Sequence, residues 1–186
     1  MQDLIIIGGG PAGVSAGVYA SRKKLKTTVI AKDFGGQSVV SDSIENWIGD
    51  ISIPGPELAK KMEAHLMAYA GEDVKVVKGE YGQKVEKIEG GFKVTTDKNT
   101  YEAKAVLITT GSHRRRLEAE NADVFEHKGI TYCASCDGPM FTGKDVVVVG
   151  GGNAGFETAA QLLAYTKSVT LLNRSEEFKA DPVTVE

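Results

Sequence analysis

The chain has 186 residues, with 22 Lys+Arg against 25 Asp+Glu and a formal net charge of −3. An apolar fraction of 41% can bury a core and excludes wholesale disorder, while the slight acidity gives no electrostatic footprint for nucleic acid or an anionic membrane. Two cysteines cannot build a disulfide scaffold, and the run at 4–7 is far shorter than a signal or membrane segment, so a cytoplasmic location is expected.

In chain order, residues 4–7 are continuously apolar and end in Gly8-Gly9-Gly10, the pattern of a parallel strand buried on both faces. Pro11 falls at a first helical position, small residues over 12–21 continue a helix, and 27–31 reads as the next strand. Residues 57–70 place Leu58, Met62, Leu66 and Tyr69 on one helical face behind a Pro-Gly-Pro turn. Short strands are expected at 74–77, 85–88, 92–95 and 100–103, with Gly90-Gly91 as a hairpin turn. A further buried strand at 105–108 closes at Thr109-Thr110-Gly111. Residues 113–123 hold Arg114-Arg115-Arg116, then acidic residues without apolar periodicity, and read as a solvated hinge. The opening pattern then recurs: a buried strand at 145–149 ends in Gly150-Gly151-Gly152, Asn153 caps a helix over 154–164, and 168–172 is a strand. These elements divide the chain into 1–112, a linker at 113–123, and 124–186.

Gly8-x-Gly10-x-x-Gly13 follows a strand and opens a helix, the setting a dinucleotide fingerprint requires. Its first glycine makes the tight turn, the second lets backbone approach a pyrophosphate, and the third lets helix and strand pack closely. Gly150-x-Gly152-x-x-Gly155 repeats the motif in the same setting. Two fingerprints point to two dinucleotides, the arrangement of a flavoenzyme reduced by a nicotinamide cofactor. The fold class is therefore α/β, with tandem Rossmann-like dinucleotide-binding domains, a small antiparallel meander, and an incomplete C-terminal end.

Cys133-Ala134-Ser135-Cys136-Asp137 is the other chemical motif. Zinc needs four ligands, and His65, His113 and His127 lack ligand spacing; covalent haem needs a histidine where Asp137 stands. Inert thiols remain one reading, but a redox-active pair is favoured because C-x-x-C closes a small disulfide and lowers a thiol pKa. Asp137 adds a carboxylate for proton transfer to or from a thiol, or alternatively a turn residue before Gly138-Pro139.

The chain resembles the low-molecular-weight thioredoxin reductases of bacteria and archaea. The likeness rests on residues 5–13, Gly35-Gly36-Gln37, residues 44–49, Thr110-Gly111, residues 133–138 and residues 150–155, in that order along the chain. It implies that the first Rossmann-like domain is FAD-binding and the second NAD(P)-binding, and that Gly8, Gly10, Pro11, Ala12, Gly13, Gly36, Gln37, Asn46, Thr110 and Gly111 contact FAD. It further implies an NADPH site at Gly150, Gly152, Asn153, Ala154, Gly155, Arg174 and Lys179. Cys136 becomes the cysteine nearer the flavin, Cys133 the attacker of the substrate disulfide, and Asp137 the acid/base. Thioredoxin or a thioredoxin-like protein is the implied substrate, and a homodimer the implied assembly of the complete chain.

Three features depart from the family pattern. The 2′-phosphate segment reads Asn173-Arg174-Ser175 with Lys179 in its last place, one cation short, which leaves NADH open beside NADPH. The related flavoprotein subunit of alkyl hydroperoxide reductase uses NADH and shares the dithiol. The stretch after Gly111 lacks a proline-glycine turn. Asp181-Pro182 reads as the start of a helix with four residues following, so the second nucleotide fold is expected to be truncated. A nucleotide-binding fragment without turnover is the competing reading.

Overall fold

The structure is a computed structural model that describes residues 1–112, 115–126 and 128–186. It divides into two compact units, Met1–His113 and Arg114–Glu186. His113, Arg114 and His127 lie outside the described residues, so part of the expected hinge does too.

The first unit opens with β1 (Gln2–Ile7), α1 (Pro11–Arg22) and β2 (Thr27–Ala31). A 3-10 turn over Gly36–Val40 leads to α2 (Gly55–Tyr69), β3 (Val74–Lys78), β4 (Gly82–Ile88), β5 (Gly91–Thr96) and β6 (Thr100–Ile108). The strands form one six-stranded sheet in the order β3-β2-β1-β6-β5-β4. Pairings among β3, β2, β1 and β6 are parallel, and those of β5 with β6 and β4 are antiparallel. Parallel register brings Ile7 beside Ile30 and Ile108, so β1, β2 and β6 all end at one edge.

β1 alternates between two cores. Ile6 joins Val29, Val74 and the inward residues Val14, Val18, Leu58, Met62 and Leu66 of α1 and α2. Ile5 and Ile7 join Ile30, Val94 and Ala103 on the opposite face. Burial on both faces is why the strand reads as an unbroken apolar run. The buried Glu80, after β3, accepts hydrogen bonds from Thr96 Oγ1 (2.8 Å), Asn99 Nδ2 (2.7 Å) and Tyr101 OH (3.1 Å). Burial alone would raise its pKa, but those three donors bring it below the ordinary carboxylate value.

Two expectations are corrected here. Residues 100–103 and 105–108 are one strand, because β6 pairs with β5 over Thr100–Ala103 and with β1 from Ala103 onward. It changes partner without breaking. Its parallel end is also not buried, since Ile108 is 63% exposed. The α2 helix begins earlier than expected, taking in Gly55 and Pro56 of the supposed turn.

The second unit contains α3 (Ala122–Phe125), α4 (Ala134–Asp137), a 3-10 turn over Gly138–Phe141, β7 (Asp145–Val149), α5 (Asn153–Leu162), β8 (Ser168–Leu172) and α6 (Pro182–Val185). Ala122 and Asp123, read as linker, are already helical in α3. β7 and β8 form a parallel pair in register from Asp145↔Ser168 to Val149↔Leu172. β7 was expected to be buried, yet Val147 is 56% and Val149 59% exposed. Only Val148 of that strand is buried, because β8 is its sole sheet neighbour among the described residues. No helix among the described residues is long and apolar enough to cross a membrane.

Candidate dinucleotide sites and redox dithiol

Three loops meet where β1, β2 and β6 end. Gly8 takes φ +124° and donates its N–H to Ile30 O (2.9 Å), a left-handed conformation that disfavours a side chain. A Cβ on Gly13 would strike the Gly8 carbonyl, so α1 lies directly against the turn. Gly35 N–H donates to Gly9 O (3.0 Å), and a Cβ on Gly10 would find only Gly36 Cα, at 3.9 Å. The backbones of Gly10 and Gly36 thus face each other, with no other heavy atom beyond the local chain within 4 Å of a Cβ on either among the described residues. Thr109 closes the third side, its N–H (2.9 Å) and Oγ1 (2.8 Å) both donating to Ile7 O. Gln37 Nε2 donates to Ser112 O (2.7 Å), joining the second and third loops.

Gly10 occupies the N-cap of α1 without a side-chain cap, and Pro11-Ala12-Gly13 places no acid in the first turn. Uncapped N–H groups and the positive end of a twelve-residue helix suit a pyrophosphate. Gly8, Gly10, Thr110 and Gly111 lie on loops at the strand ends, Pro11, Ala12 and Gly13 in the first turn of α1, and Gly36 and Gln37 in the 3-10 turn after β2, all at the edge where open α/β sheets bind ligands. Asn46 is exposed and makes no hydrogen bond among the described residues. Its neighbour Trp47 lines a cavity of about 240 Å³ with Pro11, Val14, Tyr19, Met62 and His65. Asp33 was missed from the sequence; it stands just after β2, about twenty residues beyond the fingerprint, where an acid can meet a ribose hydroxyl.

The second turn repeats the first in outline. Gly150 takes φ +130°, a Cβ on Gly155 would strike the Gly150 carbonyl, and Gly152 has open space about its Cα. Gly152, not Asn153, is the N-cap of α5. Asn153 instead donates from Nδ2 to Asp181 Oδ2 (2.7 Å) and accepts at Oδ1 from Asp181 N–H (2.7 Å). Its amide is satisfied by a residue far along the chain, which explains why the cap is lost. Asp181 in turn caps α6 by position only, with no side-chain bond to that helix.

After β8, Asn173 Nδ2 donates to Ser175 O (2.6 Å) and Glu177 O (3.0 Å), curling the loop. Lys179 N–H donates to Gly151 O (2.8 Å), and Phe178 stacks edge-on against Phe156 of α5. Arg174 and Lys179 are both exposed and form no ion pair among the described residues, which leaves them available to an anion. Ala154 is in the first turn of α5.

Cys133 and Cys136 form a disulfide with a Cα–Cα distance of 5.3 Å. Cys133 is the N-cap of α4, and its Sγ accepts from Cys136 N–H (3.3 Å). Ser135 and Gln161 of α5 are hydrogen-bonded at 3.2 Å, and Gly138 is buried close to Leu162 and Tyr165. The dithiol and the second fingerprint helix therefore belong to one packed element group. Asp137 N–H donates to Cys133 O (3.0 Å), while Thr131 Oγ1 hydrogen-bonds its carboxylate at Oδ2. Thr131 had no motif to reveal it. Among the described residues no group of three or more His, Cys, Asp or Glu could hold a metal ion.

Two fingerprint turns, with a disulfide pair in the same unit as the second, are the features that pyridine nucleotide-disulphide oxidoreductases combine. The chain belongs to the pyridine nucleotide-disulphide oxidoreductase family, whose model matches residues 2–184. It is 40% identical over 193 residues to a thioredoxin reductase of Ureaplasma parvum, covering 100% of this chain and 59% of that protein. It is 38% identical over 185 residues to an alkyl hydroperoxide reductase subunit of Staphylococcus epidermidis, covering 99% and 36%. Among solved structures, thioredoxin reductase from Streptococcus pyogenes superposes with a TM-score of 0.83 at 37% identity, covering 100% of this chain and 60% of that one. The chain thus spans between about a third and three-fifths of these relatives' lengths.

Proposed function

We propose that the chain passes electrons from NADPH, through FAD, to Cys133–Cys136 and on to thioredoxin or a thioredoxin-like protein. The observation that carries this reading is a closed Cys133–Cys136 disulfide in the same unit as a second fingerprint turn. FAD when bound supplies a ring that accepts hydride from nicotinamide and makes the electron pair available to a disulfide. The first cradle fits such a group: Gly10 and Gly36 leave room beside their backbone, Gly8 and Gly13 pack the turn tightly, and Pro11 and Ala12 begin the uncapped helix, with Gln37, Asn46, Thr110 and Gly111 in the neighbouring segments. Gly150, Gly152, Asn153, Ala154 and Gly155 would hold the nicotinamide dinucleotide, with Arg174 and Lys179 meeting its 2′-phosphate.

In the reduced pair, Cys133 attacks the partner disulfide and Asp137 takes its proton. Cys136 then attacks Cys133 Sγ, which closes the Cys133–Cys136 bond and releases the second partner thiol. Two electrons and the two thiol protons have then passed to the partner. A second reading, NADH as donor in the manner of alkyl hydroperoxide reductase, draws on Glu176 and Glu177, which follow Arg174 in the same loop.

The test is anaerobic titration of the FAD-loaded chain with NADPH and, separately, NADH. NADPH is expected to bleach the flavin band at lower concentration than NADH, and oxidised thioredoxin to restore it. Bleaching by NADH alone selects the second reading. A chain that binds no flavin, or whose flavin neither donor bleaches, overturns both and leaves a nucleotide-binding module without turnover.

A further inference from the structure

Asp137 is held from two directions. Its main-chain N–H is tied to Cys133 O at 3.0 Å, and its carboxylate Oδ2 is hydrogen-bonded by Thr131 Oγ1. Among the described residues, no cation pairs with that carboxylate. Thr131 lies two residues before Cys133 and Asp137 one residue after Cys136, so the hydrogen bond closes a ring of chain around the cysteines.

A carboxylate's last torsion is broad and two-fold, so without a donor either oxygen can turn toward the thiols. A base works only within hydrogen-bond reach and in a defined orientation of the proton it takes. The hydroxyl engages Oδ2, and Oδ1 is left as the oxygen without a hydrogen bond among the described residues.

We propose that Thr131 is a positioning residue for Asp137, presenting one carboxylate oxygen to the Cys133–Cys136 dithiol. This rests on the reading of that pair as redox-active. The step it serves is balanced. Asp137 takes the proton of the Cys133 thiol, Cys133 sulfur bonds to one sulfur of the incoming disulfide, and the other sulfur leaves as thiolate. Asp137 returns that proton to the first leaving sulfur. Cys136, giving up its own proton, then attacks Cys133 Sγ, and the mixed disulfide breaks. The second partner sulfur takes up that proton, and the dithiol has passed two electrons and two protons to the partner.

The test uses the 186-residue chain, reduced with dithiothreitol, freed of reductant, and mixed with dithiobis(nitrobenzoate) near neutral pH, below the ordinary thiol pKa of about 8.5. Thr131→Val is expected to slow thiolate release roughly tenfold, a fraction of what general acid–base catalysis contributes. Thr131→Ser, which keeps the hydroxyl, stays within about twofold of the parent. In an Asp137→Asn background Thr131→Val adds no further loss, as expected of a residue acting through Asp137. That last measurement separates positioning from a merely structural role, because a fold defect would slow the double variant further. Equal rates for Thr131→Val and the parent overturn the inference, as do equal rates for Asp137→Asn and the parent. A parent chain that releases no thiolate overturns the dithiol reading itself, and the inference falls with it.

Discussion

The two strand–helix–strand units make a natural comparison, because they share a turn and differ in almost everything around it. Both turns put their first glycine at positive φ, +124° and +130°, and seat the third against the first one's carbonyl. Both first strands carry a hydrogen-bonded aspartate at or next to their first residue. Asp3 accepts from Lys104 Nζ (2.8 Å) and Lys26 N–H (3.0 Å), and Asp145 from Ser168 Oγ (2.6 Å) and Lys167 Nζ (3.1 Å). Those donors pull each carboxyl below the ordinary value. Burial separates the two units: every residue of β2 is buried, whereas β7 and β8 alternate exposed and half-buried positions with only Val148 covered. The turn is thus a local product of glycine placement, whereas the core depends on neighbours. β1 has strands on both sides and two helices above it; β7 has β8 and α5.

The largest expected effect probes the cores. Leu66→Ala, at a fully buried position of α2, should cost about 2–5 kcal/mol, read as lost hydrogen-exchange protection across the first unit. Val148→Ala in β7 should cost about 1.5 kcal/mol and register only in the second unit. Equal losses would mean that Val148 is as well covered as the first unit's core, and the contrast would break. Next come the turns. Gly13→Ala and Gly155→Ala each drive a Cβ into the same backbone carbonyl and should cost a similar amount, about 1–3 kcal/mol of overpacking. Each should weaken its own nucleotide by tenfold or more, measured by calorimetry with FAD for the first and NADPH for the second. Crossed effects would show that the turns are not local.

How much of this was legible beforehand follows the same division. The fingerprints were readable because glycine at fixed spacing reports a backbone requirement, and 4–7 and 27–31 because buried parallel strands are apolar throughout. Exposure of β6 and β7 was not readable: an apolar run records fitness for burial, not the presence of a cover. The β6 partner switch has no local signal, since Lys104 at the crossover is an ordinary strand residue whose ammonium pairs with Asp3. Asn153 has the chemistry of a cap, yet the amide went to Asp181, a contact no local pattern encodes. Thr131 is one hydroxyl in an irregular stretch, and only its partner marks it.

Acid sharpens the comparison further, because Glu80 belongs to the first unit alone. Its folded pKa lies below the usual 4.5, so its stabilising contribution is complete above that value and is lost as pH falls through the folded pKa. Asp3 and Asp145, both below 3.8, follow the same sign in their respective units. Acidification below about pH 4.5 should therefore begin to withdraw Glu80's contribution to the meander of the first unit. Glu80→Gln should flatten that early loss in the first unit and leave the acid response of the second unchanged, measured by thermal unfolding followed unit by unit. An unchanged acid limb in the variant would remove Glu80 as its cause.

The smallest effect asks whether the second turn truly stands without help. Asn153 and Asp181 are joined by two hydrogen bonds, both exposed to solvent, so Asn153→Ala should cost only about 0.5 kcal/mol. What matters is where that loss falls. If glycine placement alone shapes the turn, protection of the amides at 150–155 stays at the parent level, because Gly150 N–H still donates to Leu172 O and Phe156 N–H to Gly152 O. The change is then confined to the 173–181 loop, which the variant loosens on one side while the Lys179 N–H bond to Gly151 O holds the other. If exchange instead rises over 150–155 as a block, the Asn153–Asp181 pair is part of the turn's support. The second fingerprint would then owe its shape to a contact that the first achieves without, since Gly10, Pro11, Ala12 and Gly13 carry no side chain able to make one.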